Sequence, residues 1–271
     1  MSYRFHLSRR VALATATAAA IAVLGLSSTA QAVPVDVTVT VQNLAAANSV
    51  SFAPLHLGFG QGNFDAFNLG GVANAAIISV AEGGAGGAWQ AAFAAAEPTA
   101  VRGTVAGLLT PGATRTMTFS VDPALNRFFT FASMVVPSND FFIGNDSPTR
   151  YQLFDAAGHL QIASITQKAR QIWDAGSELF DPAAAAFVGN NALRTAQNSV
   201  VAFSFAELAA FNGLTTGAGY TFNSGLTGDT DIYRISFAVA AAVPEPETYV
   251  LMVAGLVVVA SLARRRRSVR F

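Results

Sequence analysis

Residues 33–44 read VPVDVTVTVQNL, and the fold follows from how this stretch alternates. Val35, Val37, Val39 and Val41 are separated by Asp36, Thr38, Thr40 and Gln42. Successive side chains of a strand point to opposite faces, so the valines share one side and the polar residues the other. β-branched residues also favour the pleated conformation. The same period recurs in TRTMTFSV (Met117, Phe119, Val121) and in DIYRISFAV (Tyr233, Ile235, Phe237, Val239). RFFTFASMVV is apolar almost throughout, as a strand covered on both faces must be. Alanine-rich segments at 77–81 and 88–96 predict one or two short helices, interrupted by the glycines of EGGAGGA. No strand–helix alternation points to a parallel sheet. The expected class is all-β, an antiparallel β-sandwich with one or two short helices. The alanine-rich AFAAAEPTA reads as a solvent-side helix or loop without function.

Both ends of the chain read as processing signals. Arg4, Arg9 and Arg10 precede an apolar run from Val11 to Leu26, which closes on Ala30-Gln31-Ala32. That order predicts a signal peptide over residues 1–32, removed by signal peptidase after Ala32. At the other end, residues 243–267 read VPEPETYVLMVAGLVVVASLARRRR. Residues 248–263 carry no charge and would span about 24 Å as a helix, a short transmembrane segment. The cluster Arg264, Arg265, Arg266 and Arg267 would hold its end in the cytoplasm and leave the preceding domain outside. A plain membrane anchor behind a proline-rich stalk is the alternative. The domain boundaries expected are 1–32, 33–242 and 243–271.

The whole chain is formally neutral, but its basic residues are concentrated at the ends. Three lie before Ala32 and five after the apolar run, leaving eight basic against fourteen acidic residues over 33–243, a net charge of −6. Such a field repels phosphate backbones, so no nucleic acid is expected as a partner. Cations are natural partners, although modest net charge also serves solubility alone. With no cysteine in the sequence, thiol catalysis, thiolate zinc sites and iron–sulfur clusters are excluded. A core of this size can form without disulfides.

Two stretches place a carboxylate beside large aromatics at a strand end: Asp140 in PSNDFF and Asp174 in WDAGSE, with Glu178 four residues on. Buried carboxylates must be paired, hydrogen-bonded or bound to a cation. Three oxygen ligands suit calcium. Asn-Asp and Asp-Ala-Gly also cap turns through their own backbone, and that reading stands beside the first. Asp229 and Asp231 in GDTDIY read as a strand-entry turn, and GFGQGNF lacks the strand-to-helix setting of a phosphate loop. His56 lies in an apolar run and reads as a satisfied strand histidine. Neither it nor His159 has metal-ligand spacing, and no serine sits in G-x-S-x-G, so no enzyme is expected.

The order Val-Pro-Glu-Pro, apolar run, arginine cluster resembles the bacterial PEP-CTERM sorting tail. The resemblance implies that Pro244, Glu245 and Pro246 are recognised by exosortase, which cuts near the triplet. The membrane-anchored precursor would then pass to the cell surface or extracellular matrix. VTVTVQNL, NFDAFNLGG, MVVPSNDFFIG and WDAGSE, in that order, resemble the spondin N-terminal domain in its short bacterial form. That resemblance covers residues 35 to about 240. It implies a β-sandwich, a matrix or biofilm-associated adhesion role, and calcium held by Asp140, Asp174 and Glu178, the last standing where the family has aspartate. An exopolysaccharide or matrix protein is the partner implied. Against it stand an extracellular hydrolase and a purely structural surface protein.

Overall fold

The computed structural model describes residues 34–240 and 251–260. Residues 35–43 form strand β1 (Val35–Asn43), whose valines at 37, 39 and 41 are buried while Thr38 and Thr40 are half-buried. It lies between β5 (Thr114–Val121) and β11 (Asp231–Val239), and β11 pairs in turn with β8 (Ser164–Lys168). All three pairings are antiparallel. The polar side of this four-stranded sheet carries a threonine ladder: Thr38 meets Thr118 at 3.0 Å and Thr40 meets Thr116 at 3.3 Å. Met117 lies on its expected inward face but is left uncovered there. It pairs opposite the fully buried Val39 yet is 41% exposed. β5 is the edge of the sheet, and only its last inward residues, Phe119 and Val121, are roofed over.

The second sheet contains β10 (Ala202–Phe203), β9 (Trp173–Asp174), β7 (Phe141–Gly144), β6 (Phe128–Val136), β3 (Leu55–Gly60) and β4 (Val101–Val105), in that spatial order. The short β2 (Ser51–Phe52) also pairs with β6. The two sheets pack across one apolar core, stitched by ring contacts between Phe59 and Phe119, Phe129 and Phe237, and Phe52 and Tyr233. This is the expected antiparallel sandwich, mostly β with few helices.

Helices α1 (Ala75–Gly83) and α2 (Gly87–Ala96) occupy the expected alanine-rich segments. Asn74 caps the first, accepting from the Ile77 amide, and Gly84 ends it at φ +64, a left-handed conformation that suits glycine. Ile77, Val80, Trp89 and Phe93 pack with Phe142 and Trp173 into a second apolar cluster. The larger sheet is therefore covered on both faces, which is why β3 and β6 lack the alternation of β1. Gly58 allows this approach: a Cβ there would lie 1.9 Å from the Phe93 ring.

The expected signal peptide, with Ala30 and Ala32, lies outside the described residues. So do Pro244, Glu245, Pro246 and the cluster Arg264 to Arg267. The expected membrane helix over 248–263 falls partly within them: residues 251–260 are helical. Ten residues reach about 15 Å, half of a hydrocarbon core. Among the described residues no helix is long and apolar enough to cross a membrane.

Candidate functional site

The antiparallel pairing of β7 with β9 places Phe141 opposite Asp174, so Asp140 and Asp174 meet at the ends of neighbouring strands. The turn before β7 is held by Ser138, whose hydroxyl donates to Val135 O and accepts from the Phe141 amide. Asn139 clamps the far side of the loop, accepting from the Asp181 amide at 3.1 Å and donating to its carbonyl at 3.2 Å.

Asp140 is 2% exposed and ties this loop to the next. Its Oδ2 accepts from the Ser177 amide at 2.6 Å, the Glu178 amide at 2.9 Å and the Ser177 hydroxyl at 3.1 Å. Asp174 Oδ1 accepts from the Gly176 amide at 2.7 Å, closing a turn over its own backbone. Gly176 stands at φ +65, and a Cβ there would meet Ser199 and Val200 backbone at 2.9 Å, so glycine fits on both counts. Capping through the local backbone thus has direct geometric support at Asp174, whereas Asp140 accepts from amides of a distant segment.

Capping leaves charge over. Burial raises the Asp140 pKa, against the downward pull of the amides it accepts from. Asp174 is pushed up to about 7, first by burial and then by the Asp140 charge, with the Gly176 amide opposing. The interaction between the two carboxyls favours the proton on Asp174 over Asp140. Glu178, its side chain 1% exposed, is also pushed up to about 7, by burial and then by the Glu82 charge, with Arg194 opposing. Arg194 bridges Glu178 Oε1 and Glu82 Oε2, each at 3.3 Å. Glu178 Oε2 is buried with no hydrogen-bond partner, a costly position for an ionised oxygen. Glu207, whose charge also reaches Asp174, has a buried unpartnered Oε2 as well.

Asp140 is thus coupled electrostatically both to Asp174 and to Glu178. The donor set is all hard oxygen, which suits calcium. The arrangement is that of a hydrogen-bonded cluster: among the described residues no group of three or more His, Cys, Asp or Glu side chains is arranged to hold a metal ion. Glu82, Arg194 and Glu207 escaped the sequence reading because nothing local marks them; they reach the site from distant segments.

Glu97 turns inward from AFAAAEPTA, the segment expected on the solvent side. It is 3% exposed, and its carboxylate accepts from the backbone amides of Gln61, Asn63 and Phe64. The glycine-rich GFGQGNF does cradle an anion, and that anion is the protein's own. His56 is buried, bonded to Thr104 Oγ1 and Gly84 O at 3.0 Å each, with burial lowering its pKa. Asp229 pairs with Arg170 and Asp231 with Lys168, so the GDTDIY acids are engaged in surface ion pairs.

Residues 242–267 match the PEP-CTERM protein-sorting motif. This match takes in the Pro-Glu-Pro triplet, the apolar run and the arginines. The motif suggests an exported, surface-sorted protein that exosortase processes. No curated protein matches the chain. The spondin resemblance of the sandwich is supported by no family match and rests on its four quoted stretches.

Proposed function

We propose that the chain is an exosortase-processed surface protein whose β-sandwich is a calcium-responsive, spondin-like adhesion module. The observation that carries this reading is the balance of the site: Asp140, Asp174, Glu178, Glu82 and Glu207 interact with one another, Arg194 pairs with Glu82 and Glu178, and Glu178 Oε2 has no partner among the described residues. Ionised together, these acids repel one another, and a bound cation relieves that repulsion. Asp140 and Asp174 would contribute the oxygens that face each other, and Glu178 its unpartnered oxygen. Calcium would then take the place of the proton shared between the aspartates. The sorting motif supports an exported domain, and outside the cell weak calcium sites are filled.

Thermal melts at pH 8 with calcium and with chelator test the reading. At a calcium concentration one hundred times the dissociation constant, stability should rise by about 2.7 kcal/mol. The same melting temperature in both conditions would return Asp140 and Asp174 to turn capping alone.

A further inference from the structure

Two cavities adjoin at the β10 edge of the larger sheet. The smaller, about 200 Å³, is lined by Trp173, Tyr151, Asp146 and Arg150 among others; the larger, about 650 Å³, by Phe205 and Ser204. Gln171 and Phe203 line both, so together they form one groove. Its centre is an aromatic platform. Phe203 stacks on Trp173 with ring centroids 4.0 Å apart and planes 28° apart, and 47% of its surface remains exposed. Trp173 is itself fixed, its Nε1 donating to Gly144 O at 3.3 Å.

Three polar side chains around this platform keep hydrogen-bonding capacity free. Among the described residues, neither the Asp146 carboxylate nor the Arg150 guanidinium has a hydrogen-bond or ion-pair partner; Arg150 lies over the Tyr151 ring at 5.9 Å. Gln171 Oε1 accepts from the Lys168 amide, leaving Nε2 free. A flat apolar surface is thus ringed by an acceptor, a donor amide and a cation, with the charges of Asp146 and Arg150 cancelling. An apolar peptide would bury those groups unpaired. A polyanion would find Arg150 and Arg170 in the groove offset by Asp146 and Glu207, on a domain that is acidic as a whole. A sugar ring has an apolar C–H face and an equatorial set of hydroxyls that both donate and accept, and fits on both counts.

We infer that Phe203 and Trp173 form the stacking platform of a groove for a neutral glycan chain, whose hydroxyls are met by Asp146, Arg150 and Gln171. The inference rests on the reading of the chain as an exported binding protein and names the class of its ligand.

Tryptophan fluorescence is the readout, because the chain has two tryptophans: Trp173 lies directly under the exposed Phe203 ring, and Trp89, on α2, is fully buried away from the groove lining. The full chain, in a detergent without a sugar headgroup, is titrated with cellohexaose, mannohexaose and xylohexaose, and with hexagalacturonic acid as the anionic comparison. At least one neutral hexasaccharide should give a saturable change. Phe203→Ala should weaken it on the order of tenfold while Phe203→Trp retains it. Asp146→Asn, at a half-buried carboxylate without a partner among the described residues, should weaken it several-fold and serves if Phe203→Ala does not fold. Saturation by none of the three neutral sugars, wild-type affinity in a folded Phe203→Ala, or tighter binding of the galacturonate would overturn the inference. The calcium melts read the acidic cluster and the mass of the released protein reads the sorting tail, so failure of the glycan titration is distinguishable from failure of either.

Discussion

Asp174→Asn tests the electrostatics of the buried site directly. The folded protein raises the Asp174 pKa from 3.8 to about 7 through burial and the neighbouring Asp140 charge. A carboxyl raised on folding stabilises the native state fully below its unfolded pKa. That contribution is lost as pH climbs from about 4 to about 7, because the unfolded chain releases the proton first. At about 1.4 kcal/mol for each pH unit the full loss would be about 4 kcal/mol, and the partial exposure of Asp174 screens it to about 2. Asparagine preserves the acceptor for the Gly176 amide and offers Asp140 a permanent donor, mimicking the protonated aspartate. Wild type and variant should therefore melt together at pH 4. They should diverge between pH 4 and 7, until the variant is about 4 to 8 °C more stable at pH 8 without calcium. Glu178, also raised to about 7, leaves a residual slope in the variant over the same window. Calorimetric melts across that range in chelator measure the difference, and an Asp174→Asn curve that coincides with or falls below wild type at pH 8 refutes the proton-sharing pair.

In a host with exosortase the secreted protein should lack residues 248–271, and mass spectrometry that finds the arginine cluster still attached would rule out the cut. Val39, fully buried between β5 and β11, has no route to solvent, so Val39→Asp should abolish folding, read as loss of the β-sheet circular dichroism signal. Glu97→Gln keeps the shape but gives up the charge that the Gln61, Asn63 and Phe64 amides share; it should cost about 1 to 3 kcal/mol in chemical denaturation, and an unchanged midpoint would show that the charge contributes nothing.

Local periodicity carried much of the architecture. The valines of β1 state their buried face by period alone, and the continuous grease of RFFTFASMVV marks a strand with cover on both sides. The glycines of EGGAGGA separate α1 from α2 where expected, and the Pro-Glu-Pro, apolar, arginine order identifies the sorting motif without any structure. Each of these is a property of residues a few positions apart, so composition and spacing suffice to express it.

Partnership is another matter. Asp140 finds its amide donors 37 and 38 residues away, Glu97 accepts from a loop 33 to 36 residues upstream, and Phe203 meets Trp173 across an edge pairing. Which oxygens are spent on amides, which carboxylates crowd together, and which ring stays in water depend on strand order and register. Those are set by the packing of two sheets and two helices around shared cores, where a shift of one residue would turn every such side chain to the opposite face.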